Sequence, residues 1–157
     1  MFRKLRRFGQ ALSEESCIEL LQQERRGVLS VFGEDGYPYG IPINFLYEDG
    51  NIYFHGAKEG HKIDAILENP RVSFCVFDAG VPDPKKRGLN VRSVVVFGTI
   101  SFVEEPERAE DLTRRLGLKY FPDDPEYIEE ETRRTASRVQ ILELSIDSMS
   151  GKLVNES

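Results

Sequence analysis

The 157-residue sequence contains no tryptophan, only two histidines and only two cysteines. The cysteines, Cys17 and Cys75, lie far apart among apolar neighbours and form no Cys-x-x-Cys pair, so we expect buried free thiols rather than a disulfide. No apolar run approaches the roughly 18 residues that a membrane helix needs. The basic opening MFRKLRRFGQ is followed by no apolar segment of the kind a secretory signal has. These absences predict a cytoplasmic protein with no membrane segment.

Positive charge is in deficit, since the formal net charge is -6 and the isoelectric point is about 5.1. A general nucleic-acid surface needs a broad excess of lysine and arginine, so we expect no nucleic-acid partner. A local anion site remains compatible with this balance. The length fits one domain spanning residues 1–157, with 39% hydrophobic residues to form its core.

Hydrophobic periodicity and turn signals divide the chain into a first helix and a largely β remainder. Ser13 caps the first helix, which should end near Arg25–Gly27. The pattern predicts strands over Val28–Phe32, Tyr37–Tyr47, Asn51–His55, Val72–Phe77, Arg92–Val103 and Val139–Ile146, and helices over His61–Glu68, Pro106–Tyr120 and Glu126–Arg134. The first three strands follow each other through the turn signals Glu34–Gly36 and Asp49–Gly50. The fold class predicted is therefore mainly β, a Greek-key barrel with peripheral helices, rather than a doubly wound parallel sheet.

The segment His55–Lys62, HGAKEGHK, holds both histidines of the protein and two lysines. Its glycines allow a ligand to approach the backbone, and a helix starting near His61 would point free N–H groups into the same loop. Such a set suits a phosphate. The same residues also fit a solvated loop with incidental histidines. A metal site is a third reading, although His-x5-His matches no helical face.

Two further segments combine strand character with unusual polar or proline positions. In Gly40–Phe45, the mid-strand Pro42 removes a ladder donor, which frees neighbouring backbone groups for a flat heterocycle or simply marks an edge strand. The run Arg92–Gly98 is a valine-rich buried strand. Its first residues, Arg92 and Ser93, could reach an anion or could be only the polar end of a core strand.

These segments, in their order, resemble the Nim-type nitroimidazole-resistance branch of the pyridoxamine-phosphate-oxidase-like flavoproteins. The matching pieces are GYPYGIPINFLYEDGNIYFHGAKEGHKIDAI, then RSVVVFG, then LSIDSMSGK, and the basic opening MFRKLRR is also similar. The resemblance covers most of the chain, and the ordered set carries it rather than any single motif. It implies an FMN-binding split β-barrel that forms a homodimer with flavin at the subunit interface.

The flavin-binding residues that the resemblance implies are Pro42, Ile43, Asn44, Phe45, His55, Lys58, His61, Lys62, Arg92, Ser93, Val94 and Lys152. Among them, Pro42–Phe45 would line the isoalloxazine, His61 and Lys62 would meet the phosphate, and Arg92 and Ser93 would approach from the adjoining strand or the partner subunit. Lys152 ends a Ser-Gly-Lys pattern that a tryptophan often precedes in the family, whereas Met149 stands there here.

His55 is the candidate catalytic residue, because it occupies the position that lies near the reactive part of the ring in Nim-type proteins. Strand alternation gives Ile52 and Phe54 one face and Tyr53 and His55 the other. If the apolar pair faces the core, His55 faces the cleft, where an imidazole can donate a proton or a hydrogen bond. A strand-end histidine bonded only to backbone is the alternative.

The activity implied is an FMN-dependent reductase for a small electron-poor substrate such as a nitroaromatic, with the flavin supplying the redox chemistry. A flavin-binding protein without turnover of its own, for storage or sensing, is the alternative. Vitamin B6 oxidation is not expected, because the arginine-rich C-terminal pattern of pyridoxamine phosphate oxidase itself is absent. There is also no Gly-x-Gly-x-x-Gly motif to indicate a nicotinamide site.

Overall fold

A computed structural model of the chain describes residues 2–157 and consists of an antiparallel sheet with four helices around it. The helices are α1 (Glu14–Gln23), α2 (His61–Glu68), α3 (Pro106–Tyr120) and α4 (Pro125–Thr135). The strands are β1 (Arg26–Phe32), β2 (Pro38–Asn44), β3 (Leu46–Glu48), β4 (Asn51–Ala57), β5 (Arg71–Phe77), β6 (Val81–Pro82), β7 (Leu89–Val103) and β8 (Val139–Glu156). Short 3-10 turns lie at Phe8–Gln10 and Glu34–Gly36.

The sheet has the strand order β2-β1-β5-β7-β8-β4-β3, with β6 paired to the start of β7. Buried side chains from strands at both ends of this order meet in one cluster, so the sheet curls around its inner face. This arrangement is a split β-barrel with peripheral helices, and the predicted fold class is confirmed. The long β7–β8 pairing changes register between Phe97 and Gly98, where β8 carries one extra residue.

Tight turns follow the sequence signals. Asp49 and Gly50 both have positive φ angles, 51° and 81°, as a two-residue hairpin turn requires. Ser13 caps α1 by accepting a hydrogen bond from the Ser16 N–H, with the Oγ–N distance 3.1 Å. The predicted hairpin between β3 and β4 and the predicted start of α1 are therefore confirmed.

The inner face of the barrel is organised around three aromatic rings. Phe74 on β5 packs edge-on against Phe45 and Phe54, with ring centroids 4.9 and 5.0 Å apart, and all three side chains are fully buried. Helices α1 and α2 add Cys17, Leu20, Leu21, Ile63, Ala65 and Ile66 to the same cluster. Both helices therefore close the inner side of the barrel.

The outer face of the sheet divides into a covered part and an open part. Helix α3 covers the first, where Leu112 and Leu116 pack with Tyr53, Val103 and Ile141 in a second small core. On β1, β5 and β7 the outward side chains form a surface that we call the open face, made of Val28, Ser30, Phe32, Ser73, Cys75, Phe77, Val95 and Phe97. Phe32, Phe77 and Phe97 are 61%, 59% and 43% exposed there.

Several strand boundaries differ from those predicted. The strand predicted over Tyr37–Tyr47 is two strands, because Phe45 leaves the ladder and turns into the core. Strand β4 continues through Ala57, into the predicted loop. The prediction that the last strand ends at Ile146 is wrong, since β8 runs on to Glu156 in pairing with the first half of β7.

Two smaller predictions also change. Helix α1 ends at Gln23, and β1 begins at Arg26, so the pair of arginines starts a strand rather than ending a helix. Both cysteines are free thiols, as predicted, but only Cys17 is buried. Cys75 is half-buried, because it lies on the open face.

Candidate functional site

The N-terminal end of α2 forms a cationic cradle. The helix begins after Gly60, whose φ of 135° suits glycine and whose lack of a side chain leaves the first helical N–H groups uncapped. His61 stacks on the ring of Tyr39 from β2, with centroids 4.3 Å apart. The ammonium of Lys62 lies over Gly56, where a Cβ atom would come within 2.8 Å of Nζ. Two basic side chains thus lie at a helix start with free N–H groups, and donors of this kind bind anions.

Electrostatics of the cradle favour an added negative charge. Burial lowers the pKa of Lys62, and burial together with the positive charge of Lys62 lowers the pKa of His55. Among residues 2–157, Lys58, His61 and Lys62 take part in no ion pair. The cradle is thus a site of positive charge without a protein counterion, which suits a phosphate dianion.

His55 lies near the end of β4, exposed and paired with Ile141 of β8. Ile52 and Phe54 face the core, as predicted. Tyr53 shares the outward face of His55 but is buried beneath α3, so only the His55 end of that face is open. Its lowered pKa keeps the His55 imidazole neutral at pH 7, with one ring nitrogen free to donate a hydrogen bond and the other to accept one.

A second group of the predicted residues follows the sheet's outer surface along the open face. Pro42 is exposed and pairs with Val28, and Asn44 points outward two residues further along the edge strand. On the other side of the face, Ser93 pairs with the exposed Lys152. The charge of Lys152 opposes the rise that burial causes in the pKa of Cys75, which places its ammonium over this same face.

A third group of predicted residues has side chains that point into the core or are bound to another residue, rather than toward the cradle or the open face. Phe45 and Val94 are fully buried, and Ile43 packs against the same core. These side chains are therefore committed to the core. Arg92 is also committed: its Nε donates to the Asp78 carboxylate at 2.9 Å, and its backbone N–H donates to the same carboxylate.

The predicted residues therefore form two clusters rather than one. The cradle and the loop before it hold His55, Lys58, His61 and Lys62, whereas Pro42, Asn44, Ser93 and Lys152 border the open face on β2, β7 and β8. No hydrogen bond or ion pair of the part of the chain that the structure describes joins the two clusters.

Sequence reasoning missed a clamp around the break between β2 and β3. Lys119 at the end of α3 donates a 2.8 Å hydrogen bond to the Phe45 carbonyl and lies 3.7 Å from the centroid of its ring. The Tyr120 hydroxyl accepts from the Phe45 N–H at 2.9 Å and donates to the Arg25 carbonyl. Both backbone groups freed at Phe45 are thus satisfied, which fixes where the edge strand ends. A lysine and a tyrosine at the end of an amphipathic helix are common in proteins. Their presence in the sequence could therefore not predict this clamp.

Lys119 should make the stability of the protein depend on alkaline pH. Burial lowers its pKa to about 8, so the unfolded chain binds more protons than the folded one between pH 8 and 10.5. The free energy of unfolding should therefore contain a contribution that rises by about 1–2 kcal/mol over that window. Comparing chemical denaturation of the wild type and Lys119→Met at pH 7.5, 8.5 and 9.5 measures this contribution.

The matched control for that measurement is Lys85→Met, at an exposed lysine in the loop after β6. It should follow the wild-type pH dependence. Identical slopes in the wild type and Lys119→Met would show that Lys119 does not titrate in this window.

Residues 2–157 contain neither a candidate metal site nor a candidate membrane-spanning helix. No group of three histidine, cysteine or acidic side chains in this range could hold a metal ion. Nor does any helix there have the length and apolar character to cross a membrane.

Comparison with protein families gives one match, the model described as pyridoxamine 5'-phosphate oxidase, over residues 13–153. The chain belongs to the pyridoxamine 5'-phosphate oxidase-like family. This match spans both clusters of predicted residues, from α1 to the Ser-Gly-Lys pattern on β8. No curated protein sequence matches the chain.

Solved structures of similar fold include members with different descriptions. A proposed 5-nitroimidazole antibiotic resistance protein of Bacteroides thetaiotaomicron is 21% identical, with a TM-score of 0.78 over 91% of this chain and 86% of that one. A conserved hypothetical protein of Mycobacterium tuberculosis is 21% identical, with a TM-score of 0.81 over 95% and 90%. An FAD-binding protein of Mesorhizobium loti is 26% identical, with a TM-score of 0.64 over 93% and 98%. These likenesses establish the split-barrel fold.

One position of this family member differs in a way that the structure explains. Met149, which stands where a tryptophan was expected before Ser-Gly-Lys, pairs with the buried Val96 and packs against the inner core. Its side chain packs toward the inside of the barrel. Met149 therefore provides no aromatic ring on which a ligand could stack at this end of the site.

Proposed function

We propose that the protein is a homodimeric FMN-dependent oxidoreductase that reduces small electron-poor compounds such as nitroaromatics. The observation that carries the proposal is the cationic cradle at the start of α2. Its cations have no carboxylate partner among residues 2–157, and its Lys62 lies over Gly56, the residue that follows His55. Family membership and the FAD-binding description of one similar structure support a flavin as the ligand.

The residues present fit FMN. Gly56 leaves room for the Lys62 ammonium, since a Cβ there would come within 2.8 Å of Nζ, and the donors of the cradle are Lys62, His61 and the uncapped N–H groups of α2. These are the groups that bind a phosphate dianion. When bound, FMN supplies the two-electron chemistry, and the protein supplies position and electrostatics.

The chain's own residues then divide the remaining work. Pro42 lacks a backbone donor on the edge strand β2, which leaves space and free backbone groups beside it for a flat ring. Asn44 and Ser93 offer polar groups on the open face. His55, neutral at pH 7, holds a proton on one ring nitrogen and can donate a hydrogen bond to a substrate anion.

The homodimer is part of the proposal because of the open face. It carries three exposed phenylalanines, and apolar patches of this kind on a small protein mark an interaction surface. A two-fold pair would bury this face and bring the open-face residues of one subunit toward the cradle of the other. Sedimentation equilibrium should give about twice the monomer mass of 18.0 kDa.

Fluorescence titration with FMN tests the cofactor assignment. We expect saturable quenching at micromolar protein, and a lack of saturation would contradict the proposal. Reduction of the bound flavin by NADH or NADPH, followed by reoxidation with a nitroaromatic, then tests turnover. Flavin that binds but is neither reduced nor reoxidised would point to storage or sensing instead.

His55→Ala tests the proposed hydrogen-bond donor. We expect flavin content to stay at the wild-type level, because the phosphate cradle is intact, while reoxidation by a nitroaromatic slows by about 100-fold, as the loss of one hydrogen bond to a developing anion does. Rapid-mixing absorbance of reduced protein with substrate measures the rate.

The matched control is His61→Ala, which removes the other histidine of the protein. It should weaken FMN binding but leave the reoxidation rate of the flavin that remains bound unchanged. Loss of flavin from His55→Ala would move His55 into the binding set, and no change in either quantity would show that it has no catalytic role.

A further inference from the structure

The segment before α1 is an arm that follows a defined path along β8. A 3-10 turn at Phe8–Gln10 leads to Ala11, which forms a β-bridge with Lys152, and the Leu12 N–H donates to the Gly151 carbonyl at 2.9 Å. At its other end, Phe2 stacks on Phe97, with ring centroids 5.7 Å apart. The arm is therefore fixed at both ends.

Between these fixed points the arm and β8 enclose a cavity of about 340 Å³, which we call the arm cleft. Its lining consists of Leu5, Arg6, Arg7, Gln10, Lys152 and Val154. Three cations and one amide therefore line the same cleft. Leu5 of the arm and Val154 of β8 each add an apolar side chain.

No protein anion neutralises these cations. Within residues 2–157 the arginines of α3, α4 and β7 form the ion pairs, and Arg6, Arg7 and Lys152 form none. The chain as a whole has a net charge of -6, so carboxylates are abundant elsewhere. Three like charges held around one cavity repel each other, and an anion bound between them relieves that repulsion.

The arm cleft adjoins the open face. Lys152 pairs with Ser93, and its charge acts on Cys75 in the middle of that face. A ligand held in the cleft would therefore have one end at the residues proposed to contact flavin.

We propose that the arm cleft binds the diphosphate of an adenine dinucleotide. Two arginines can each form a bidentate pair with phosphate oxygens, and a lysine adds a third charge, which matches a diphosphate better than a carboxylate. Leu5 and Val154 offer apolar contact to the ribose and base. The dinucleotide is a reduced nicotinamide donor rather than FAD, because one phosphate of the FAD diphosphate is the FMN phosphate, which the proposed function places in the cradle. This redox role rests on the proposed function.

A contact with an anionic lipid surface is the competing reading of a basic arm with phenylalanines. Phe8 is 68% exposed, but Phe2 is engaged with Phe97, and Arg6 and Arg7 line a cavity shared with β8. Although Arg6, Arg7 and Lys152 are exposed, they line a concave cleft, which suits a small ligand better than a flat membrane surface.

Isothermal titration with ADP tests the proposal, because ADP carries the diphosphate and adenosine of the nicotinamide donor. We expect binding to the wild type and at least tenfold weaker binding to the double variant Arg6→Gln/Arg7→Gln. The control is Lys85→Gln/Lys86→Gln, which removes two charges from an exposed loop and should bind ADP within twofold of the wild type. FMN affinity, measured in parallel, should be alike in all three, so failure of the flavin assignment is seen separately.

A steady-state measurement then tests the donor itself. The arginine double variant should raise the KM for NADH or NADPH at unchanged kcat. The proposal is overturned if ADP does not bind the wild type, if the loop control loses equal affinity, or if the KM for the donor does not change. Arginine-dependent binding to phosphatidylglycerol vesicles, without ADP binding, would assign the arm to a membrane surface.

Discussion

Val95→Lys should dissociate the proposed homodimer into 18.0 kDa monomers at micromolar concentration. Val95 lies in the middle of the open face, on the row that runs from Val28 through Cys75 to Ser150. Two-fold symmetry would place two unpaired ammonium groups in the interface, and burying an unpaired charge costs several kcal/mol. We expect the dimer dissociation constant to rise by about 1,000-fold or more, measured by sedimentation velocity over a concentration series.

The control for this variant is Ser101→Lys, an exposed position further along β7 that pairs with Glu143 near α3. It adds the same charge outside the open face and should remain dimeric. A Val95→Lys protein that stays dimeric would show that the open face is not the interface. Flavin content of the monomer would then report whether the cradle binds FMN without a partner.

Lys62→Ala should weaken FMN binding by about 10- to 100-fold while changing riboflavin binding by less than about threefold. The ammonium of Lys62 is partly buried over Gly56, and a hydrogen bond between charged groups contributes roughly 1.5–3 kcal/mol. Riboflavin has no phosphate and so gains little from this contact. Fluorescence titration with both ligands measures the difference directly.

The matched control is Lys85→Ala, which removes one positive charge from an exposed loop and should leave both affinities unchanged. Equal losses for FMN and riboflavin in Lys62→Ala would show that this lysine supports the backbone at Gly56 rather than the phosphate. The two ligands therefore separate an electrostatic role from a structural one.

Local signals were enough to locate most helices and strands. Ser13 and Asp49–Gly50 define a helix start and a turn by their own chemistry, and the structure keeps those boundaries. The extension of β8 to Glu156 could not be read in the same way. Its polar run Asp147–Ser150 has no strand pattern, and only pairing with β7 makes it one.

The candidate site also has one part that local sequence predicts and one part that depends on the whole fold. Clustering of cations at the start of α2 follows from adjacent residues, so the sequence alone could predict the cradle. Whether a strand residue points inward depends on the curl of the whole sheet, which is why Ile43, Phe45 and Val94 were predicted beside a ligand yet lie in the core. Arg92 is similar, since only the fold brings Asp78 within reach of it.

The pairing of β4 with β8 has a consequence for how the chain folds. Asn51 pairs with Ser145, and Ala57 with Val139, so the strands that close the sheet are distant in sequence. During synthesis the edge of β4 that pairs with β8 stays unpaired until β8 leaves the ribosome. The apolar residues Ile52 and Phe54 of β4 remain incompletely packed until then. Late closure of long-range strand pairs slows folding and prolongs exposure to aggregation. Nascent chains stalled before β8 should therefore be the species that chaperones bind most.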